Sequence, residues 1–268
     1  MASRCEIVPL TPFQAKLGRI LAINRSEDSY LAGGAAILIA PNTIRYSQDL
    51  DYFHDSTARV ASAYENDRQT LVQNRYRLEI EIAQPGYIRA VVRFGKQATK
   101  VEWAQDSIWR FMPVIRSLAF GYQLHPIDAA TNKVLALAGR DEPRDLLDVL
   151  YLHETLLPLG PLSWAATGKD PGFSPLSLLE LLRRRGKIRQ EDLTHLHLTK
   201  SLRLEKLKTT WLTALDTAEA FVRRRSPEEA GCLYYAPALQ RFVNPECDSS
   251  GKTTPHYGCP GGVLPRIV

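Results

Sequence analysis

Long apolar runs are missing from this chain. None approaches the roughly 18 residues of a membrane-spanning helix, so a helical membrane protein is excluded. The first residues, MASRCEIVPLTPFQ, lack the apolar stretch and small-residue cleavage site of a secretory leader. The expected location is therefore cytoplasmic, with no membrane partner. Cysteine is scarce and scattered: Cys5, Cys232, Cys247 and Cys259 form neither a disulfide framework nor a Cys-x-x-Cys knuckle. His256 lies close to Cys259, which leaves a zinc site in the C-terminal segment as an open alternative. No internal repeat is evident.

What is present is an ordinary globular composition, 44% hydrophobic and 24% charged over 268 residues. That length can bury a sizeable core in one large domain or two smaller ones. The net charge of +5 and the pI near 9.0 point mildly towards a polyanionic partner. The excess is uneven. Arg183-Arg184-Arg185 with Lys187 and Arg189 form one basic cluster, Lys200, Arg203, Lys206 and Lys208 a second, and Arg223-Arg224-Arg225 a third. Three clusters in one half of the chain suit contact with a nucleic-acid backbone. The alternative is solvated residues that complement helix ends.

The most informative stretch is Leu31 to Asp55, LAGGAAILIAPNTIRYSQDLDYFHD. Gly33-Gly34 reads as a small-residue turn, and Ala35 to Ala40 as the start of a buried helix. Arg45, Ser47, Asp49 and Asp51 share one parity, so a strand here predicts all four on one face. At roughly 3.3 Å per residue, an Asp-x-Asp pair sets two carboxylates about 7 Å apart along the backbone. Like charges held that way need a positive partner, and Mg²⁺, which takes one or two carboxylates plus substrate phosphates, meets the need. Glycines without Cβ atoms let a triphosphate approach backbone N–H groups. Read blandly, the same residues are a surface loop and an ordinary turn.

Around this stretch the pattern predicts an α+β core. Residues 8–24 read as a helix after a Thr11-Pro12 cap signal, and 56–75 as a second helix. Tyr76–Ile82, Tyr87–Phe94 and Lys100–Trp103 read as strands, the first two joined at Pro85-Gly86. From Asp128 the periodicity is helical. Lys133 is expected to open a helix ending near Gly139, with Pro143 in the first turn of the next and Asp145 and Asp148 sharing a face. Helices are also expected over Leu176–Arg185, 190–198 and 200–225, the last with a core-facing stripe through Leu207, Trp211, Leu215 and Phe221. The organisation expected is a core over 1–127, a helical domain over 128–225, and a Pro/Gly/Cys-containing segment over 226–268 that reads as a tail or an extended surface segment.

Gly33-Gly34, a short apolar helix, then Arg45-x-Ser47-x-Asp49-x-Asp51 resembles the first motif of the AbiEii/AbiGii nucleotidyltransferase toxin family, within the DNA polymerase β-like nucleotidyltransferase superfamily. About 80 residues later, Lys133, Ala136, Arg140, Arg144-Asp145 and Asp148 resemble the family's Lys-x-x-Ala…Arg…Arg-Asp-x-x-Asp signature. Together the resemblance covers roughly residues 20 to 225. Many superfamily members have Gly-Ser where this chain has Gly33-Gly34.

The resemblance implies a small mixed β-sheet nucleotidyltransferase core with flanking helices, followed by a helical half. It implies a Mg²⁺-dependent toxin of a toxin–antitoxin system that transfers NMP from an NTP to an acceptor, the tRNA 3′ end above others. On it, Asp49 and Asp51 hold the metal and a third carboxylate comes from a later strand. Glu102 is the candidate, with Glu79, Glu81 and Asp106 as rivals. Gly33 and Gly34 receive the triphosphate, with Arg45 and Ser47 at the phosphates. Lys133 neutralises charge on the nucleotide, and Asp148, Asp145 and Arg144 order nucleotide or acceptor. A cognate antitoxin protein is the further partner implied. Two alternatives stay open: a non-catalytic nucleotide- or partner-binding member of the same fold, and a transferase acting on a small molecule or protein. Basic helices suit an RNA acceptor better than a cationic small molecule.

Overall fold

The computed structural model describes residues 10–37, 43–140, 142–247 and 252–266. They divide into two compact units, one of Met1–Ile108 with Pro113–Ala129 and one of Trp109–Met112 with Ala130–Val268. Among the described residues, no helix is long and apolar enough to cross a membrane.

The first unit begins with α1 (Pro12–Leu21), capped as expected: the Thr11 side chain accepts from the Gln14 N–H, and the Gln14 side chain accepts from the Thr11 N–H. Then follow β1 (Ser29–Ala32), the short α2 (Gly33–Ile37), β2 (Asp49–His54) and α3 (Thr57–Gln73), whose cap is Ser56. Next come β3 (Arg77–Gln84), β4 (Tyr87–Phe94) and β5 (Gln97–Gln105). After β6 (Trp109–Arg110), which belongs to the second unit, β7 (Ile115–Ser117) and β8 (Gly121–Gln123) close the first. Its seven strands make one mixed sheet in the order β3-β4-β5-β2-β1-β8-β7. β2 runs parallel to β5 and antiparallel to β1, and β1 runs parallel to β8.

Along β2 burial alternates. Leu50, Tyr52 and His54 are buried, while Asp49, Asp51 and Phe53 are half-buried. Leu50 and Tyr52 join Val101 and Trp103 of β5, Leu17 and Leu21 of α1, and Val60, Ala63 and Leu71 of α3 in the core. Beneath them lies a buried ion pair that sequence reasoning missed. Asp67 of α3 binds the Arg25 guanidinium and accepts from Trp103 Nε1 at 2.7 Å and Asn24 Nδ2 at 2.9 Å. Three donors satisfy this one carboxylate, which is how it tolerates full burial.

In the second unit, α4 (Pro126–Gly139), which starts in the first, is followed by α5 (Pro143–Thr155), α6 (Leu159–Lys169), α7 (Pro175–Arg185), α8 (Gln190–Thr194) and α9 (Leu204–Arg224). The core-facing stripe of α9 holds, with Leu207, Trp211, Leu215 and Phe221 all buried. Gly160 of α6 admits the Phe221 ring, since a Cβ there would lie 2.9 Å from Phe221 Cβ.

Several expectations are corrected. Arg45–Gln48 precede the strand that carries Asp49 and Asp51 instead of lying on it, so the polar run is split between a loop and β2. Residues 38–40 of the expected apolar helix lie outside the described residues. Lys133 lies in the middle of α4, because Pro126 at the helix start extends it a further two turns N-terminally. The expected helices over 190–198 and 200–225 are the shorter α8 and α9. The C-terminal segment is no loose tail over its described residues. β9 (Leu233–Ala236), β10 (Arg241–Phe242) and β11 (Thr254–His256) form a three-stranded sheet, and β12 (Cys259–Pro260) pairs with β6. Cys232, Leu233 and Tyr234 are buried there, and His256 Nε2 lies 2.8 Å from the Phe111 carbonyl oxygen. His256 is therefore packed into the fold, and among the described residues it forms no three-ligand group with cysteines.

Candidate active site

The site starts from the pleat of β2. Because Leu50 and Tyr52 point into the core, Asp49 and Asp51 point the other way. The parallel register of β2 and β5 sets Asp51 beside Glu102. Asp49, Asp51 and Glu102 thus offer one carboxylate oxygen each within 4.8 Å of one another, all three half-buried. The carboxylate that joins the Asp pair is therefore Glu102. Among its rivals, Glu79 pairs with Arg93 at 2.9 Å and Glu81 with Lys100 at 3.9 Å, both on the sheet's edge strand, and Asp106 follows the end of β5. At such separations each like-charged pair costs on the order of 1–4 kcal/mol, depending on screening. Three oxygen donors with no imidazole or thiolate match the ligand chemistry of a hard divalent cation such as Mg²⁺.

The glycine pair belongs to the same place. Gly33 directly follows β1, whose Ala32 lies opposite Asp51 in register, and it has φ +59°. A Cβ at Gly33 would run into the Asp51 carboxylate. A Cβ at Gly34 would lie 3.0 Å from Arg45 Nη2 and 3.4 Å from Ser47 Oγ. Glycine is thus needed at Gly33 both for its backbone conformation and for the close approach of the carboxylate. Arg45 and Ser47 are buried. Arg45 Nη1 donates to the Tyr46 carbonyl at 3.1 Å, and Ser47 Oγ donates to the Asp49 carbonyl at 3.0 Å. The Ser47 hydroxyl therefore fixes the chain as it enters β2. Gln14 of α1 braces the same loop by donating to the Ser47 carbonyl at 3.3 Å and to Thr99 Oγ1 at 3.2 Å.

Two residues beside Glu102 were not foreseen. In the antiparallel pairing of β4 and β5, Arg89 lies opposite Glu102, and its guanidinium contacts Glu102 Oε1 at 2.8 Å. Tyr87, two residues earlier on the same face, has its ring centroid 5.6 Å from Arg89 Cζ. Burial first, and then the neighbouring Glu102 carboxylate, push the Tyr87 phenol up to about 12. The only sequence signal was parity within YIRAVVRF, and parity does not reveal which carboxylate an arginine will meet.

In the second unit, Lys133, Asp145 and Asp148 are brought together. Lys133 Nζ lies 2.8 Å from Asp145 Oδ1 and 2.9 Å from Asp148 Oδ2, and Arg140 Nε lies 2.6 Å from Asp145 Oδ2. Both carboxylates are fully buried. Burial pushes the Asp145 carboxyl up, but Lys133 and Arg140 outweigh it and hold the group below its ordinary value. Arg144, half-buried, lies 4.0 Å from Glu142.

Ion pairs also take up much of the expected basic surface. Arg183 meets Asp216 and Glu219, Arg184 meets Glu180, Arg223 meets Glu219, and Arg224 and Arg225 meet Glu246. The second cluster differs. Lys200, Arg203, Lys206 and Lys208 are exposed, with no acidic partner among the described residues.

No protein-family model matches the sequence, and no curated protein matches it. Among solved structures, the chain is similar to MenT4, a nucleotidyltransferase toxin from Mycobacterium tuberculosis H37Rv, at 16% identity and a TM-score of 0.49, covering 81% of this chain and 83% of that one. It is also similar to JHP933 from Helicobacter pylori, at 16% identity and a TM-score of 0.45, over 79% of this chain and 92% of that one.

Proposed function

We propose that this chain is a Mg²⁺-dependent nucleotidyltransferase of the toxin type, which moves NMP from an NTP to an acceptor, the 3′ end of tRNA. One observation carries the reading: Asp49, Asp51 and Glu102 converge within 4.8 Å beside a glycine pair whose missing Cβ lets the Asp51 carboxylate and the Arg45 guanidinium close on the backbone. In this reading the three carboxylates hold the metal. When bound, the ion neutralises charge on the attacked phosphate and on the leaving pyrophosphate. Gly33 and Gly34 admit the triphosphate close to the backbone. Arg45 supplies positive charge at that turn, and Ser47 keeps Asp49 aimed by holding its carbonyl. Positioning and electrostatics supply most of the catalysis in such phosphoryl chemistry.

For Lys133, Asp145, Asp148 and Arg144 the reading retains nucleotide or acceptor contact, as the family resemblance implies. The exposed cations Lys200, Arg203, Lys206 and Lys208 suit an RNA backbone. A separate antitoxin protein is the regulatory partner in this reading.

The test is incubation of the purified protein with total tRNA, Mg²⁺ and each of the four labelled NTPs in turn, beside the Asp49→Ala/Asp51→Ala double variant. Label entering RNA from one NTP, and lost in the variant, is the expected result. Label on protein would move the acceptor away from RNA. NTP binding without any transfer would replace the reading with a non-catalytic one.

A further inference from the structure

We propose that Arg89 is a positioning residue that holds Glu102 ready as a metal ligand; this rests on the metal-dependent reading above. Arg89 Nε donates to Glu102 Oε1 at 2.8 Å, and Nη2 forms an ion pair with the same oxygen at 2.8 Å. Tyr87 also hydrogen-bonds the Glu102 side chain, so the carboxylate is held by two residues where it faces Asp49 and Asp51. The pair is shielded, with Glu102 19% and Arg89 32% exposed at the side chain, unlike the freely solvated ion pairs that contribute little.

The hold is needed because of charge. Glu102 lies within 4.8 Å of two other carboxylates, and its side chain would otherwise swing away from them into solvent. Strand register fixes Arg89 opposite Glu102, and the Tyr87 ring braces the guanidinium. The planar fork matters as well as the charge. The rigid guanidinium plane, stacked by Tyr87, directs its Nε–H at Glu102 Oε1 from a fixed place, which the flexible point charge of a lysine does not. A cation beside a metal site also repels the metal; here orientation outweighs repulsion, and that is the claim at risk.

Mn²⁺ titration of the nucleotide-free protein, followed by the EPR signal of the free ion, tests it without recourse to activity. Arg89→Ala and Arg89→Lys are each expected to weaken Mn²⁺ binding by about tenfold or more, within the range seen when a partner of a metal ligand is removed. Tyr87→Phe is expected to weaken it by less. In the transfer assay the same variants should lose rate at saturating NTP and regain part of it as the metal concentration rises. Should Arg89→Ala fail to fold by circular dichroism, Arg89→Lys decides by the same criterion. Binding as tight as wild type, or tighter, in a folded Arg89 variant overturns the proposal and leaves the metal site standing. If wild type binds no Mn²⁺, or Asp51→Asn binds it equally well, the metal-dependent reading itself falls and the proposal with it.

Discussion

Two groups of buried or half-buried charge differ in how they are balanced. In the second unit, Asp145 and Asp148 face Lys133 and Arg140, two acids against two bases, so the network is neutral as it stands. In the first unit, Asp49, Asp51 and Glu102 face one another with Arg89 on Glu102. A neutral network holds a fold together without any ligand. Three carboxylates that converge within 4.8 Å repel one another more than a balanced network does, a divalent cation relieves that repulsion, and folds retain such clusters mainly where chemistry needs them. The acidic group should therefore matter for activity far more than for stability, whereas the balanced network should matter for stability whatever it adds at the nucleotide.

The sharpest break in this comparison comes from removing charge at the acidic group. Asp49→Asn/Asp51→Asn should lower nucleotide transfer by about 10³-fold or more, while the melting temperature stays level or rises as repulsion is lost. Thermal melts run beside the transfer assay check both halves, and a large fall in melting temperature would erase the distinction. Next in size, Asp148→Ala should destabilise the protein by about 2–3 kcal/mol, because it leaves Lys133 and Arg140 sharing the one carboxylate of Asp145. Much of that should return in Lys133→Met/Asp148→Leu, measured by urea unfolding. A double variant as unstable as the single one would mean that more than charge balance is at stake there.

Gly33→Ala is expected to be smaller in stability, about 1–2 kcal/mol for the left-handed backbone alone. It should nonetheless impair Mn²⁺ binding, because the new Cβ meets Asp51. The last effect is one of pH. His54, at the far end of β2 from Asp49, is buried with neither ring nitrogen hydrogen-bonded. Burial, with Arg25 and Arg59 adding to it against Asp28, pushes its pKa down to about 3. The unfolded chain takes up this proton first, below about pH 6.5, so stability should fall as pH drops from there towards 3, at up to about 1.4 kcal/mol per pH unit. Replacing His54 with leucine should flatten that slope between pH 6 and 4. A further loss below about pH 4 should remain, since Asp145 is held below its ordinary value in the fold.

Much of the acidic group could be read from the sequence because it is local. Asp49 and Asp51 sit two apart on one strand, and alternation alone puts them on one face. Thr11 and Ser56 announced two helix starts for the same reason, since a cap is a contact over three residues. Glu102 was reachable only as one candidate among four, because pairing of β2 with β5 crosses about 50 residues and nothing local fixes that register. Arg89 escaped notice entirely for the same cause. β1, β7 and β8 are only three or four residues long, too short for alternation to stand out. The C-terminal sheet was hidden by its composition: proline and glycine usually break strands, yet Pro255 sits on an outer strand that tolerates it. The acidic partners that neutralise Arg183 and Arg223–Arg225 lie up to 36 residues away in sequence, so charge runs read from the chain overstated the open basic surface.

β2 has a hydrogen-bonded neighbour on each side, β5 and β1, and neither of those is an edge strand. Its amides should therefore exchange with deuterated solvent only when the whole first unit opens, while those of edge strand β3 exchange earlier. Two of the three carboxylates consequently ride on the slowest-opening segment of the sheet. Little conformational entropy remains to be lost there when a cation arrives, so binding should raise the melting temperature while leaving the exchange pattern of β2 as it was.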